Sequence, residues 1–336
     1  MTTNPKVSVI IPVHNTEKYI EECLNSVINQ TLTDIEIICV DDASTDSSFN
    51  ILDTYSKKDS RVKIYHHDVS KSALGARKTG VENAKGDYIM FLDSDDYYSL
   101  DACETAYNKI KEENVEILHF TLDVINCCDA PQKRVDALLE YVKPFEGRLD
   151  GKNVFSVCFE EGKYAHTPVN KIYKSELCKK SYKQIEDIHL VFAEDLYAYF
   201  IIADNAKSYY GWNSKPLYFY CYGRGVTTGN KQYSLQEFEK HCKHADTYFA
   251  LERYVKTKNA AIYQKIAKKL YSEWIFRNIR TCEKNLLPAE RTEGYALMNK
   301  YWGQKNVSKA LVKLEWRKMK KSPINTFKFI LKTMRS

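Results

Sequence analysis

YIMFLDSDD, residues 88–96, runs five apolar or aromatic positions straight into three aspartates within four residues. A continuous apolar run reads as a strand buried on both faces, the kind found in parallel sheets rather than in half-solvated antiparallel ones. Like charges delivered together at its end raise one another's pKa, and a cation beside them would relieve that cost. The sequence upstream repeats the same construction three times.

VSVIIPV (7–13) is an apolar, β-branched run followed by a helical stripe of Tyr19, Ile20, Cys23, Leu24, Val27 and Ile28, with Asn15 and Thr16 placed to cap it. IEIICVDD (35–42) is a second strand with a helix over 44–55, and VKIYHH (62–67) a third with a helix over 74–85 that Gly86 closes. DYIMFLD (87–93) is the fourth. Alternating strands and helices on short links predict an α/β fold, a Rossmann-like, mostly parallel sheet sandwiched by helices. Such sheets bind ligands at the carboxyl ends of their strands. Three of those ends are polar here, at His14 and Asn15, at Asp41 and Asp42, and at residues 93–96, so one cleft is expected to gather them.

Further along, a helix is expected over 100–113, a strand over 115–125, a turn around 127–134, a helix over 190–206 and a strand over 215–222. Nearly everything after Asn230 has helical spacing, with breaks at Leu287-Pro288 and Ser322-Pro323. The expected organisation is a domain over 1–228, with halves 1–125 and 126–228, and a helical C-terminal region over 229–336.

The 336 residues are 44% hydrophobic and 28% charged, an ordinary soluble composition. The N-terminal MTTNPKVSVIIPV lacks a basic leader region, and no stretch approaches a membrane-spanning length. No C-x-x-C pair is present to hold zinc. A cytoplasmic protein with reduced cysteines is expected, without a nucleic-acid partner; the oligomeric state is not legible. The net charge of +6 is uneven, because residues 305–336 hold ten Lys or Arg against one acid, Glu315. Val312, Trp316 and Met319 share a helical face there, as do Ile324, Phe327, Leu331 and Met334. A basic amphipathic tail suits peripheral contact with an anionic membrane at its inner face. It equally suits a terminal helix packed on the body with a solvated basic side.

VSVIIPVHNTEKYIEECLNSVINQ (7–30), IEIICVDDASTDSS (35–48), GARKTGVENAKGDYIMFLDSDD (75–96) and AEDLYAYF (193–200) together resemble the family 2 glycosyltransferases of the GT-A fold. The resemblance is strong over about 6–125 and thinner to about 228. It implies a nucleotide-sugar donor, UDP-linked in the best-fitting case, and a glycan or lipid-linked glycan acceptor in surface polysaccharide synthesis. Asp93, Ser94 and Asp95 resemble the family's D-x-D element, with Asp93 on the ribose and Asp95 on a Mn²⁺ or Mg²⁺ ion. Pro12 and His14 resemble positions lining the nucleobase, and Asp42 the carboxylate that reads it, with Asp41 supporting the loop. Arg77 is expected to reach the diphosphate or a neighbouring carboxylate, although Lys78 stands where the family more usually has Asn.

Asp195, beside Glu194, resembles the family's base for the acceptor hydroxyl, which implies an inverting displacement. Asn170 and Lys171 are assigned to the acceptor side, and Arg224 to a glycine-containing loop over the site. Two other readings stand beside this one. A haloacid-dehalogenase-like phosphatase also places D-x-D after a buried strand, but Tyr97 occupies its usual Thr or Val position. A non-catalytic nucleotide-sugar-binding subunit of a polysaccharide assembly is the other.

Overall fold

The computed structural model describes residues 4–225, 233–258 and 260–321, the side chains of 317–321 excepted. The chain divides into two units, Met1–Thr228 and Gly229–Ser336.

In the first unit β1 (Val7–Val13), β2 (Ile35–Asp41), β3 (Val62–His66) and β4 (Tyr88–Phe91) alternate with α1 (Ile20–Ile28), α2 (Ser48–Lys58) and α3 (Ser72–Asn83). Every residue of β1, β2 and β4 is buried. β1 pairs in parallel with β2, Val13 opposite Asp41, and on its other side with β4, Ile10 opposite Phe91. The chain builds outward through β2 and β3 and then returns to the far side of β1. That reversal opens a crevice at the strand ends, where sheets of this kind hold ligands. α3 lies tight on β1 because position 80 is glycine, where an added Cβ would stand 2.3 Å from Ile10 Cγ2.

The unit continues with β5 (Tyr97–Tyr98), α4 (Ala102–Glu113), β6 (Ile117–Phe120), β7 (Leu122–Asn126), α5 (Gln132–Val142) and β8 (Gly147–Asp150). It ends with α6 (Lys152–Phe159), β9 (Lys171–Lys174), α7 (Ser175–Tyr182), α8 (Glu194–Asn205), β10 (Ser208–Trp212) and β11 (Tyr218–Tyr222). The main sheet has the order β3-β2-β1-β4-β9-β6-β10-β8 and is predominantly parallel, with β9 antiparallel to both neighbours and β8 antiparallel to β10. A small second sheet, β5-β11-β7, stands beside it.

Several local expectations change. The strand expected over 115–125 is two strands in two sheets, divided at Thr121. There the Thr121 N–H donates to Ser214 Oγ at 3.2 Å and its carbonyl accepts from Leu217 N–H at 3.1 Å, so a connecting loop anchors the switch. The turn around 127–134 runs into α5, which the sequence reading did not foresee. Asn15 and Thr16 do not cap α1 with their side chains. Asn15 Oδ1 accepts from Thr45 N–H at 2.8 Å instead, tying the loop after β1 to the loop after β2. Gly86 does not cap α3; its N–H donates to Ser8 Oγ and Glu36, where a Cβ would stand 2.6 Å from the Ser8 backbone nitrogen.

The second unit comprises α9 (Leu235–Cys242), α10 (His244–Lys256), α11 (Ala261–Asn285), a 3-10 turn at Pro288–Glu290, α12 (Arg291–Trp302) and α13 (Gln304–Lys321). Trp302 is buried among Tyr248, Phe249 and Tyr271, and its indole N–H donates to Asn278 Oδ1 at 2.7 Å. On α13, Val307 and Ala310 pack inward, while Val312 and Trp316 are 60% and 59% exposed. The face expected to carry Val312, Trp316 and Met319 is thus the outer one for its first two members. The Met319 side chain and the residues from Ser322 onward, with Ile324, Phe327, Leu331 and Met334, lie outside the described residues. All ten cysteines are free thiols. Among the described residues no helix is long and apolar enough to cross a membrane.

Candidate active site

The carboxyl ends of β1, β2 and β4 open into a cleft of about 490 Å³. Pro12, His14, Asp42, Arg77, Asp93, Ser94, Asp95, Glu194, Asp195 and Arg224 all line it. Asp41, Asn170 and Lys171 do not.

Arg77 on α3 is the hub of the acidic end. Its Nη2 donates to Asp93 Oδ1 at 2.7 Å and its Nη1 to Asp195 Oδ1 at 2.5 Å, with Glu194 Oε1 at 4.0 Å. Arg77 is 3% exposed; burial works to lower its pKa, but the charges of Asp195, Asp93 and Glu194 outweigh that and raise it. Of the two partners expected for Arg77, the structure shows the neighbouring carboxylates, with one bond from each Nη. Arg77 uses Oδ1 of Asp195 and not Oδ2. Burial, and then the charge of Asp195, push the Glu194 carboxyl up to about 8, against the pull of Arg77. The environment thus favours the protonated form of Glu194.

The three aspartates after β4 also part company. Asp93 and Asp95 line the cleft, whereas Asp96 is 1% exposed and accepts from the Tyr218 hydroxyl and from Cys221 N–H at 2.7 Å. Burial and the two neighbouring aspartates raise its pKa well above the carboxylate range. Asp96 fastens the small sheet to the strand end and turns away from the cleft.

At the ends of β1 and β2, His14 Nδ1 lies 2.7 Å from the carbonyl oxygen of Asp42. A carbonyl only accepts, so Nδ1 carries the proton and Nε2 accepts from the Asn15 amide at 3.3 Å. The Asp42 carboxylate is caged by its own chain: Oδ1 takes His67 Nδ1 and Lys71 N–H, each at 2.7 Å, and Oδ2 takes the Ser70 hydroxyl at 2.6 Å. Burial alone would raise its pKa, but these donors outweigh it and hold the carboxyl below the usual range. Asp41 is wholly buried, and His66 Nδ1 meets its Oδ2 at 2.8 Å, so it supports the loop from behind. The sequence reading missed His66, His67 and Ser70. Register was the available signal, since Asp41 pairs directly with His66.

Asn170 and Lys171 are corrected: both are completely buried behind the cleft wall. Asn170 Nδ2 donates to the Phe120 and Val142 carbonyls at 3.2 and 3.1 Å, and its Oδ1 accepts from the Thr167 hydroxyl at 2.9 Å. Lys171 Nζ donates to the carbonyls of Ala165 and Thr167 at 3.2 and 2.5 Å, and burial lowers its pKa to about 7. They stand behind Thr167, Pro168 and Val169, which line the cleft. Arg224 does reach the rim, where Nη1 donates to Glu22 Oε2 at 2.5 Å and to the Asp95 carbonyl at 3.4 Å, and its guanidinium lies 5.0 Å from the Tyr19 ring centre.

Among the described residues no three metal-ligating side chains converge. The donor set fits a hard divalent cation of another kind, bound by one or two carboxylates and completed by phosphate and water. Asp95 answers to that: burial, and then the charge of Asp93, push its pKa up to about 6, a penalty that a bound cation relieves.

Residues 8–168 match Glycosyl transferase family 2. The poly(ribitol-phosphate) beta-glucosyltransferase of Bacillus spizizenii is 38% identical over 193 residues, covering 56% of this chain and 28% of that protein. Glycosyltransferase GlyG of Streptococcus pneumoniae is 39% identical over 112 residues, covering 33% of this chain and 37% of that protein. The matched stretches thus span well under half of these two relatives. Among solved structures, S. aureus TarS 1-349 in complex with UDP-GlcNAc superimposes with a TM-score of 0.55 at 21% identity, over 93% of this chain and 92% of that one. The mannosyltransferase PcManGT of Pyrobaculum calidifontis, in complex with GDP-Man and Mn²⁺, gives 0.53 at 15% identity, over 94% and 89%. At such identities the likeness is one of fold, the GT-A arrangement. Asp93, which a dehalogenase-type phosphatase would use as nucleophile, is held here by Arg77. The family 2 match thus covers residues 8–168, just under half of the chain, and takes in β1 to β4 and the aspartates at 93 and 95.

Proposed function

We propose that the protein is a metal-dependent, inverting glycosyltransferase that moves a sugar from a UDP-sugar to a hydroxyl of a glycan or glycoconjugate in surface polysaccharide synthesis. The observation that carries this reading is the meeting of Asp93, Asp95 and Asp195 in one cleft, two of them bridged by Arg77. Solved structures of the same fold hold UDP-GlcNAc or GDP-Man with Mn²⁺, and a relative is named for transferring glucose to poly(ribitol phosphate).

In this reading Pro12, His14 and the caged Asp42 receive the nucleobase, and Asp93 and Ser94 the ribose. A Mn²⁺ or Mg²⁺ ion held by Asp95 would neutralise charge on the leaving diphosphate. Asp195 takes the proton of the acceptor hydroxyl as its oxygen bonds to the anomeric carbon. The bond from that carbon to the diphosphate oxygen breaks on the opposite face, and the nucleoside diphosphate leaves with the electron pair. One such displacement inverts the centre.

The tail reading belongs here too. Lys305, Lys309, Val312, Lys313 and Trp316 are all exposed on α13. A basic face carrying Trp suits an anionic membrane surface, so peripheral attachment near lipid-linked acceptors is part of the proposal.

The test is a thermal-shift screen of nucleotide sugars with and without Mn²⁺, followed by hydrolysis or transfer assays on the donors that bind. Mn²⁺-dependent stabilisation by UDP-sugars, lost in Asp95→Asn, is the expected result. Binding without any turnover alongside candidate acceptors would favour the non-catalytic subunit instead.

A further inference from the structure

The cleft has two halves of different chemistry. The half beside β1 and β4 carries the carboxylates and His14. The other half is walled by Leu122 on β7, Leu138 and Tyr141 on α5, Val169 ahead of β9, and Tyr220 on β11. α5 is the insertion that the sequence reading passed over as a turn. It brings Tyr141, half exposed at 50%, to the opening, where its hydroxyl stands 3.4 Å from His166 Nδ1.

The charges around this second half are one-sided. Glu194 and Asp195 border it. Arg77 is engaged by Asp93 and Asp195, and Arg224 by Glu22. Lys171 is sealed behind Thr167 with its ammonium on backbone carbonyls. The adjoining hollow, which shares Leu122 and Val142 with the cleft, presents Asp136 and Glu140 against Lys143. Among the described residues that line the cleft itself, the Lys and Arg side chains are Arg77 and Arg224, both ion-paired, and Lys143 opens on the adjoining hollow instead; a phosphate entering this half would lose water with little compensation and meet acids. Aromatic and aliphatic walls with few polar groups suit instead the apolar face of a sugar ring.

We infer that the half of the cleft formed by α5, β7 and β11 is the acceptor subsite and that it takes an uncharged pyranoside, selecting against acceptors that carry phosphate beside the reacting sugar. The inference rests on the glycosyltransferase reading above and narrows its acceptor. It separates this chain from its relative named for a poly(ribitol-phosphate) acceptor.

The test uses the full-length protein saturated with UDP and Mn²⁺. Saturation-transfer NMR compares methyl β-glucopyranoside with glucose 6-phosphate, and methyl β-galactopyranoside with galactose 6-phosphate. Calorimetry of UDP is run alongside. The expected result is ring-proton signal from at least one neutral glycoside and at least about tenfold weaker binding of its phosphorylated counterpart. Tyr141→Ala should weaken the neutral ligand by about tenfold, the scale of one aromatic contact, while Tyr141→Phe retains it. Equal or tighter binding of the phosphorylated sugars, no binding of either class to the UDP-loaded protein, or indifference to Tyr141→Ala would each overturn the inference. Absence of UDP binding would mark failure of the nucleotide-sugar reading itself.

Discussion

The guanidinium of Arg77 donates to Oδ1 of Asp195 at 2.5 Å, joining residues 118 apart in the chain. The same side chain holds Asp93, so one buried cation aligns the candidate base with the end of β4. Removing it leaves three carboxylates facing one another in a partly dry cleft. Arg77→Ala is expected to cost about 3 kcal/mol, the scale for stripping one partner from a buried ion pair. Denaturant unfolding measures this, and a loss below about 1 kcal/mol would mean that water and counterions replace Arg77 without difficulty.

Asp195 and Asp95 are assigned to different substrates, and their amide variants should separate accordingly. Asp195→Asn should lower transfer by roughly two to four orders of magnitude, the usual worth of a general base, with UDP-sugar affinity little changed. Asp95→Asn should weaken donor binding as well and remove its Mn²⁺ dependence. Calorimetry beside a transfer assay distinguishes them. Loss of donor binding in Asp195→Asn would move that residue into the nucleotide site.

Glu194 supplies a pH dependence. Its carboxyl is raised from 4.5 to about 8, so between those values the folded protein binds a proton that the unfolded chain releases. Stability from this group must fall as pH rises across that window. Glu194→Gln cannot ionise, so its melting temperature should gain on the wild type from pH 5 to pH 8. A constant offset between the two melting curves over that range would refute the shift.

Two cleft loops hold alanine in the left-handed region, Ala43 at φ 59° directly after Asp42 and Ala193 at φ 56° directly before Glu194. A side chain there costs about 1 kcal/mol that glycine avoids, partly offset by glycine's greater freedom in the unfolded chain. Ala43→Gly and Ala193→Gly should therefore be neutral or stabilising in thermal unfolding. Gly80→Ala should go the other way, by about 1–3 kcal/mol, because the new Cβ meets Ile10 Cγ2 at 2.3 Å.

If α13 meets anionic lipid through its outer face, the intact protein should sediment with phosphatidylserine-containing vesicles and release as salt rises. Trp316→Ala should weaken that binding. No sedimentation at low salt would leave α13 as a packed terminal helix with a solvated basic side.

The first hundred residues announce their own architecture. Runs such as 7–13 and 35–41 are apolar throughout, and only a strand covered on both faces can bury every side chain of such a run. The three aspartates of 93–96 stood out for a similar reason, as charge placed at the end of a buried strand, whereas the acid pair at 194–195 was picked out by resemblance alone. Tertiary structure decided what local pattern does not contain. Asp96, a neighbour in sequence of two cleft residues, turns away to Tyr218 because a second sheet, paired across 120 residues, passes behind it. Asn170 and Lys171 read as polar and available, yet they are sealed behind Thr167, since backbone carbonyls left without ladder partners had to be satisfied by something. Burial and partnership are properties of the whole fold, and a residue's type says what it can bond to, not what the chain brings within reach.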